Sequence, residues 1–433
     1  MTRLKLILIT ALANTFEWYD YTLFGNFADI IGSKFFSIQE SKSAILKAFL
    51  VFAAGYITRP LGGAFFGIIG DKIGRKAALS TAVILMGLPT VAISLLPSYE
   101  YWGIFSTIIL VFLRMLQGLS MGGVLTSSIC FSIEHSDKKH QNFISSVSMA
   151  SICAGILLGS VVAFTTRSIL TPESFEDWGW RIPFFLGAIV IFIGLYIKWH
   201  MSETPEFNKE TFGEKEFLAP LVQTVKLHWK KMLISIGINS TGSILFYLQA
   251  VYLANFLKLN SNFSVIVIDK ISSISYACMI FFTLFAGWLA DKFGNARILT
   301  LNLIALILSI IPLLAGAYSD NIYNIMFVQI IFGFLAATYI SLEISMQANF
   351  YPAAIRSTAL ALSYNISTTI FGGATPYVLE NITQATDSLV SCAYYVIFFA
   401  FISLYSIVLY NRILNSSGKS IDHNKHTKAG KTN

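Results

Sequence analysis

The stretch GIIGDKIGRK at positions 67–76 decides how this chain is organised, because a weaker copy of it recurs further along. Residues 70–76 read GDKIGRK and residues 290–296 read ADKFGNA, an offset of 220. Both copies follow an apolar stretch and occupy the corresponding hydrophilic turn. A single Asp-Lys-x-Gly match can arise by chance, but two matches at equivalent turns indicate an internal repeat. The sequence therefore predicts two related halves.

The composition excludes an ordinary soluble protein. The chain has 433 residues, of which 55% are hydrophobic and only 12% are charged, and its mean hydropathy is +0.66. Soluble domains carry about 25% charged residues, so a soluble chain of this kind would lack the charge to cover its surface. We therefore expect a polytopic protein embedded in a lipid bilayer. The net charge of +7 does not point to nucleic acid, because the placement of the charges matters more than their sum.

Long apolar runs predict helices that span the bilayer. A spanning helix needs about 20 apolar residues, and these runs are continuous rather than alternating, which excludes a β-barrel. The fold class is therefore an all-α membrane protein with twelve transmembrane helices in two six-helix bundles. The predicted segments lie near 5–32, 44–69, 77–96, 102–132, 142–166, 182–200, 231–257, 270–290, 298–317, 322–348, 357–378 and 389–411.

The hydrophilic segments divide the chain into domains. Residues 1–200 are expected to form the first bundle and residues 231–412 the second. Residues 201–230 form the longest hydrophilic stretch and are predicted to be a cytoplasmic central loop. Residues 413–433 are polar and rich in Gly, Lys, Asn and Ser, which predicts a disordered tail.

Lysine and arginine predict the orientation. With both termini in the cytoplasm, 21 of these residues lie on the cytoplasmic side and seven on the opposite side. Positive charge accumulates on the cytoplasmic side of membrane proteins, so both termini are predicted to be cytoplasmic, with the protein in the cytoplasmic (inner) membrane. The N-terminus lacks the pattern of a cleavable signal.

The cysteines predict neither a disulfide framework nor a metal site. They fall in apolar stretches without paired spacing, at positions 130, 153, 278 and 392. No nucleophile–base or metal constellation is apparent either, so an enzyme is the least favoured class and no cofactor or metal is expected.

Eight motifs carry a resemblance to a known family. Residues 67–76 and residues 114–123, RMLQGLSMGG, resemble two signatures of the major facilitator superfamily. Six further stretches resemble its metabolite:proton symporter family, whose members include proline/betaine, α-ketoglutarate, citrate and shikimate transporters. These stretches are NTFEWYDY at 14–21, RPLGG at 59–63, WGWRIPF at 178–184, ETPEF at 203–207, YPAAIRST at 351–358 and YNISTTIFGG at 364–373. The resemblance covers about residues 10–411.

The resemblance implies a secondary active transporter that works by alternating access. It implies uptake of a small organic solute together with protons, with the proton gradient in place of a cofactor. One chain suffices for such a fold, although the oligomeric state is not readable from the sequence. Two departures matter: no coiled coil follows the last helix, and Asn295 and Ala296 replace the basic residues of the second loop copy.

Helix 1 offers the candidate proton-coupling residues. Asn14, Glu17 and Asp20 are spaced by three and share one helix face. At about 1.5 Å per residue from Lys5, Glu17 lies roughly 18 Å deep, near the midplane. Two carboxylates one turn apart in a low dielectric repel each other, so Glu17 or Asp20 is expected to carry a proton. The alternative is that one of them stays ionised in a salt bridge to Arg59 or Arg114.

Buried polar residues elsewhere are candidates for substrate binding, because an ionisable group inside a helix is costly. Arg114 can clamp a substrate carboxylate, tune a helix 1 acid or form a packing ion pair. Arg59 can line the cavity or form an internal ion pair. Glu343 can bind a cation or a proton, or can pair with Arg356. The remaining candidates, each with a packing role as its alternative, are Asn14, Gln117, Tyr364 and Asn365.

Three residues in the two loop copies are predicted to be conformational latches. Asp71 can cap a helix N-terminus, and Arg75 can bridge helices in one transport state. Asp291 occupies the equivalent position in the second copy. An aromatic cage for a quaternary ammonium, built from Trp18, Tyr19 and Tyr21, is a further hypothesis, with packing as its alternative.

The charges inside the predicted bundle favour a zwitterionic substrate. Two arginines, Arg59 and Arg114, are matched by Glu17, Asp20 and Glu343, which suits proline or betaine. A mono- or dicarboxylate of the α-ketoglutarate, citrate or shikimate type is the alternative, because two arginines suffice for it. Drug:proton antiport and a non-transporting nutrient receptor are less favoured alternatives.

Overall fold

The structure is a computed structural model that describes residues 3–36, 41–207 and 216–429. These residues are mostly helical, and none of them forms a strand. The helices of the first half are α1 Arg3–Asn26, α2 Ala28–Phe35, α3 Ser41–Lys72, α4 Arg75–Leu95, α5 Tyr99–Trp102, α6 Ile104–Glu134, α7 Gln141–Ile169, α8 Pro172–Ser174, α9 Arg181–Phe185 and α10 Ala188–His200.

The described residues of the second half form eight helices. Its helices are α11 Ala219–Tyr247, α12 Ala254–Asn260, α13 Val265–Phe293, α14 Asn295–Gly316, α15 Ile322–Ala348, α16 Arg356–Ser367, α17 Gly373–Thr386 and α18 Cys392–Ala429. One π-helical segment, Leu248–Leu253, joins α11 to α12, and another, Thr368–Gly372, joins α16 to α17. Such bulges frequently mark functional regions of a helix.

Nine helical stretches of the described residues are long and apolar enough to cross a membrane. They match nine of the twelve predicted segments. The other three predicted segments, 5–32, 44–69 and 357–378, coincide with α1, α3 and the helices α16 and α17. These three contain most of the polar candidate residues.

The two loop copies both turn at a glycine with a positive φ. Gly74 has a φ of 138° between α3 and α4, and Gly294 has a φ of 92° between α13 and α14. Only glycine adopts such angles without strain, so both turns require the glycine that the repeat supplies. The internal repeat therefore has a structural basis in a turn that allows two helices to meet with no intervening loop.

Small residues let helices approach closely within the first half. A Cβ atom added to Gly62 on α3 would lie 1.9 Å from the carbonyl oxygen of Leu119 on α6. A Cβ atom on Gly122 of α6 would lie 2.2 Å from the carbonyl oxygen of Arg59. Close backbone packing of this kind is a common basis of helix association in membranes. This contact fixes the position of the α3 backbone at Arg59 relative to α6.

The boundaries of the hydrophilic segments differ from the sequence prediction. Helix α11 begins at Ala219 rather than near residue 231, so the connection between the halves is shorter than 201–230. Residues 208–215 of this connection lie outside the described residues. Helix α18 continues to Ala429, through most of the segment for which the sequence predicts disorder. Residues 430–433 also lie outside the described residues.

Candidate functional site

A small cavity of about 20 Å³ lies between the two halves. The first half contributes residues from α1, α3 and α7, and the second half contributes residues from α11, α15, α16 and the adjoining π-helical segment. The lining residues are Trp18, Arg59, Met149, Ile152, Gly242, Ser243, Phe246, Tyr247, Ile340, Glu343, Tyr364 and Thr368. Of the predicted substrate-binding residues, Arg59, Glu343 and Tyr364 line this cavity.

Charged groups of both signs meet at the cavity without full pairing. Arg59 and Glu343 are 1% and 2% exposed. Among the described residues, the Nε and Nη1 atoms of Arg59 and the Oε2 atom of Glu343 have no hydrogen-bond partner. Buried charges are costly unless they are paired, so these atoms are available to a ligand with a complementary charge.

Glu17 lies beside this site rather than in the cavity lining. It is 1% exposed, and neither of its carboxylate oxygens has a hydrogen-bond partner in the described part of the chain. Its charge interacts electrostatically with that of Arg59. A buried carboxylate without hydrogen bonds, next to the cavity arginine, can hold either a proton or a negative charge.

Asp20 has a different environment, although it lies one turn from Glu17. Its Oδ2 atom is 3.2 Å from Arg114 Nη1 and accepts a hydrogen bond from Gln117 Nε2 at 2.9 Å. Arg114 Nη1 also donates to Gln117 Oε1 at 2.6 Å, and Gln117 Nε2 donates to Thr90 Oγ1 at 2.8 Å. Arg114 and Gln117 therefore hold Asp20 and do not line the cavity, which matches the ion-pair alternative rather than a substrate clamp.

Asn14 and Asn365 also lie outside the cavity lining. Asn14 Nδ2 donates to Ser128 Oγ at 3.0 Å, and that hydroxyl donates back to Asn14 Oδ1 at 3.1 Å. Asn365 Nδ2 donates to the carbonyl oxygens of Gly122 and Ala361, both at 2.8 Å. The bonds between Asn14 and Ser128 join α1 to α6. The bond from Asn365 to Gly122 joins the two halves, whereas the bond to Ala361 stays within α16. Both asparagines have packing roles in this conformation.

Five aromatic side chains form a closed ring in which each contacts the next. Trp18 and Tyr21 come from α1, Tyr56 from α3, and Phe246 and Tyr247 from α11. The centroid distances around the ring are 5.4, 5.6, 5.9, 5.4 and 5.1 Å. We call this group of five side chains the aromatic cluster. It includes two residues of the predicted cage, but Tyr19 points elsewhere and donates to the carbonyl oxygen of Pro183 at 2.8 Å.

The comparisons with known proteins agree with this architecture. The sequence model of the Major Facilitator Superfamily matches residues 10–376. The chain belongs to the major facilitator superfamily. It is 31% identical to the proline/betaine transporter of Salmonella typhimurium over 92% of this chain and 82% of that protein. It is also 31% identical to a putative proline/betaine transporter of Staphylococcus aureus, over 96% and 90%.

Solved structures of the superfamily share the fold. The proton:xylose symporter XylE matches with a TM-score of 0.72 at 14% identity, over 95% of both chains. The Escherichia coli fucose:proton symporter FucP matches with a TM-score of 0.68 at 14% identity, over 93% of this chain and 99% of that one. The resemblance read from the motifs and the all-helical fold class are thereby confirmed, and the superfamily fold implies twelve helices. The chain is a multi-pass membrane transporter.

The superfamily loop signature at 67–76 joins the halves through a buried ionic cluster. Asp71 accepts hydrogen bonds from the backbone nitrogens of Ser357 and Thr358 at 3.0 and 2.8 Å. Asp71 also pairs with Arg75 at 3.0 Å. The carboxylate thus caps the N-terminus of α16, which belongs to the other half. We call the end of the bundle that carries this cluster the latch face.

Glu134 extends the cluster, although the sequence analysis did not single it out. It lies 3.2 Å from Arg75 Nε and 2.8 Å from Arg356 Nη1. Arg356 also pairs with Glu206 of the central connection at 2.6 Å. The ion-pair partners of Arg356 are therefore Glu134 and Glu206 rather than Glu343. The available signal was an acid at the end of a long apolar segment, on the same predicted side as Arg75.

The second loop copy makes an equivalent contact, in which no ion pair forms among the described residues. Asp291 accepts hydrogen bonds from the backbone nitrogens of Asn142 and Phe143, both at 3.0 Å, and so caps α7 of the other half. Asn295 donates to Asn142 Oδ1 at 2.8 Å, where the superfamily signature would have a basic residue. The contacts of the two loop copies are therefore symmetric in their helix caps and asymmetric in their charge.

Proposed function

We propose that this chain is a symporter that couples protons to the uptake of a small zwitterion, meaning a solute with a carboxylate and a cationic nitrogen. The observation that carries the proposal is the placement of Arg59 and Glu343, which line one cavity from opposite halves. A zwitterion complements both charges at once. Its binding connects the halves, as alternating access about a midplane site requires.

In this proposal Arg59 binds the substrate carboxylate. Its guanidinium presents a planar fork that matches a carboxylate, and two of its nitrogens lack partners. The carboxylate of Glu343 faces the cationic nitrogen. The position of Glu343 is closely defined, because a Cβ atom on Gly242 would lie only 2.3 Å from Oε2.

Glu17 is the proposed proton carrier. Asp20 is held by Arg114 and Gln117, whereas Glu17 has no hydrogen bond. An ionised Glu17 competes with the substrate carboxylate for the charge of Arg59. Protonation of Glu17 removes this competition, so proton binding and substrate binding favour each other. This is a coupling free energy between two sites, and it is necessarily reciprocal.

The arrangement disfavours the dicarboxylate alternative. Recognition of two carboxylates by two arginines would require both guanidiniums at the cavity, but Arg114 pairs with Asp20 outside its lining. Drug:proton antiport gains no support from a cavity with two unpaired buried charges. Relatives of this chain carry the names proline/betaine transporter and glycine betaine/proline/ectoine/pipecolic acid transporter, which agree with a zwitterion.

The proposed location is the cytoplasmic membrane, with both termini and the latch face in the cytoplasm. The charge bias of lysine and arginine supports this orientation. In that orientation the ionic cluster closes the cytoplasmic end of the cavity. The protein then takes up substrate from the outer side and releases it after the cluster opens.

The test is uptake of labelled proline and betaine into proteoliposomes that contain the purified chain and an imposed inward proton gradient. We expect gradient-driven accumulation of at least one of the two, with competition by the other and weak competition by α-ketoglutarate. Accumulation of α-ketoglutarate without either zwitterion would overturn the proposed substrate class. No gradient-driven flux of any of them would overturn proton symport.

A further inference from the structure

We propose, on the basis of the proposed function, that Tyr56 is a positioning residue for Arg59. Its ring holds the guanidinium ready for the substrate carboxylate, although Tyr56 is not among the described residues that line the cavity. Tyr247 of the second half supports the Tyr56 ring in turn. The alignment of Arg59 therefore depends on whether the aromatic cluster is assembled from both halves.

Arg59 is a buried cation that keeps part of its hydrogen-bonding capacity unused. It forms no close ion pair within the described residues, and its Nε and Nη1 atoms have no hydrogen-bond partner there. Its guanidinium carbon lies 5.2 Å from the centroid of the Tyr56 ring. A cation within about 6 Å of an aromatic ring is attracted to it. This attraction requires no N–H donor, so Nε and Nη1 stay available to a carboxylate.

Tyr56 lies behind Arg59 with respect to the latch face. Both residues belong to α3, where Tyr56 precedes Arg59 by three positions and Asp71 follows it. Residues three apart on a helix are neighbours on one face, and Tyr56 is about 4.5 Å further from the latch face along the axis. Tyr56 therefore acts on a bound solute through the side chains that it supports rather than by direct contact.

The aromatic cluster holds the Tyr56 ring from both halves. Tyr21 of α1 meets it edge to face with centroids 5.6 Å apart, and Tyr247 of α11 meets it in the same way at 5.9 Å. The Tyr247 ring packs closely against the second half, since a Cβ atom on Gly372 would lie 2.6 Å from Tyr247 Cε2. Such edge-to-face contacts are geometrically specific, so the orientation of Tyr56 depends on a ring of the other half.

This dependence links the binding site to the position of the halves. Alternating access requires the halves to separate at the end away from the latch face in one conformation. Separation removes Tyr247 from the Tyr56 ring, and Arg59 then loses the support of an ordered neighbour. Arg59 therefore binds a carboxylate most tightly when the aromatic cluster is assembled. By the same coupling free energy, a bound carboxylate favours the assembled cluster.

The test compares a solute with its carboxamide, which keeps the cationic nitrogen and lacks the charge that Arg59 would bind. The labelled solute is whichever of proline and betaine the unmodified chain accumulates in proteoliposomes. The competitors are the same solute unlabelled and its amide, prolinamide or betaine amide. In Tyr56→Leu we expect the half-inhibitory concentration of the solute to rise by about tenfold and that of the amide by less than about threefold.

Three further variants locate the effect. Tyr56→Phe keeps the ring, so the half-inhibitory concentration of the solute should stay within about threefold of the unmodified value. Tyr21→Leu removes a supporting ring and should weaken the solute by about threefold, with a less than additive loss in combination with Tyr56→Leu. Phe256→Leu is the control, because this side chain is also buried but its ring contacts are Tyr252 and Tyr318 of the second half. It should change neither competitor.

The outcomes separate this inference from the proposed function. Equal losses for the solute and its amide in Tyr56→Leu, or no loss for either, overturn the positioning role and leave zwitterion symport standing. A loss in Tyr56→Phe as large as that in Tyr56→Leu overturns the role of the ring. If Tyr56→Leu does not fold, Tyr21→Leu decides: a loss confined to the solute supports the inference, and equal losses or none overturn it. Absence of gradient-driven uptake by the unmodified chain overturns the proposed function, and this inference falls with it.

Discussion

Arg59 on α3 and Glu343 on α15 line one cavity from opposite halves, and each keeps at least one charged atom without a hydrogen-bond partner. The close ion pairs among the buried described residues are instead the Asp20–Arg114 pair and those of the ionic cluster at the latch face. Arg59 and Glu343 differ from these residues in forming no close ion pair within the described part of the chain.

Replacing the cavity arginine should abolish recognition of the substrate carboxylate. For Arg59→Gln we expect the apparent affinity for substrate to fall by about 100-fold or more, because truncating one partner of a buried charge pair costs about 2–5 kcal/mol. Arg59→Lys should recover only part of this loss, since an ammonium cannot form the bidentate fork. The measurement is concentration-dependent uptake in proteoliposomes. An unchanged affinity in both variants would exclude Arg59 from the binding site.

Neutralising the proposed proton carrier should separate exchange from accumulation. In Glu17→Gln the side chain cannot ionise, so Arg59 stays available to the substrate at every pH. We expect counterflow exchange to continue and gradient-driven accumulation to fall by about tenfold or more.

The pH dependence of substrate affinity gives a second readout for Glu17. In the unmodified chain a fall in pH protonates Glu17 and raises the affinity, whereas in Glu17→Gln the affinity should not vary with pH. Asp20→Asn is the comparison, because Asp20 is bonded to Arg114. If Asp20→Asn gives the uncoupled behaviour and Glu17→Gln does not, the proton carrier is Asp20.

A single methyl group should displace Glu343. In Gly242→Ala the new Cβ would lie 2.3–2.4 Å from the carboxylate atoms of Glu343, so that side chain must move. We expect the substrate affinity to fall by about tenfold, a loss of roughly 1.4 kcal/mol. Gly25→Ala is the matched control, because nothing lies within 4 Å of its added Cβ. A normal affinity in Gly242→Ala would mean that the position of Glu343 is not critical.

Removing the shared acid of the ionic cluster should open the latch face. Glu134→Gln leaves Arg75 and Arg356 without their common partner, and breaking a buried ion pair costs about 3–5 kcal/mol. We expect the conformation that is open at the latch face to become more populated. The reporter is Ser243→Cys in the cavity, in a chain whose four native cysteines are replaced. Its labelling by an impermeant thiol reagent applied to the latch face should rise several-fold.

An exposed ion pair is the control for the latch experiment. Asp29 and Arg167 pair at 2.7 Å, but their side chains are 54% and 39% exposed. Exposed pairs contribute only about 0.2–1 kcal/mol, so Asp29→Asn should leave the labelling of the cavity cysteine unchanged. Equal labelling in Glu134→Gln and Asp29→Asn would contradict a latch role for the cluster.

The sequence identified the buried carboxylates of helix 1 but not which arginine lies beside each of them. Glu17 and Asp20 are three residues apart, which places them roughly 60° apart around a helix. That separation is enough for Asp20 to face α6 and Arg114 while Glu17 lies beside Arg59 on α3. The sequence analysis left both arginines open as partners, because helix periodicity gives the face of a residue but not the neighbour across it.

Aromatic residues show the same limit. The hypothesis of a cage in helix 1 named Trp18, Tyr19 and Tyr21, which are adjacent or nearly adjacent in sequence. The aromatic cluster contains Trp18 and Tyr21 of this helix, and its other members are Tyr56, Phe246 and Tyr247 from other helices. Tyr19 cannot join it, because neighbouring residues on a helix point in different directions.

The sequence by itself determined that this chain is a two-half membrane transporter of the major facilitator type. Three local properties of the sequence carried this prediction: the length of the apolar runs, the repeated Asp-Lys-x-Gly turn, and the distribution of lysine and arginine. In a bilayer, apolar length determines which segments span as helices, and the placement of positive charge determines their orientation. The tertiary structure decided which charges pair and which remain available. Pairing depends on side chains from helices far apart in sequence, such as Asp20 and Arg114, whose proximity is set by helix packing rather than by spacing along the chain.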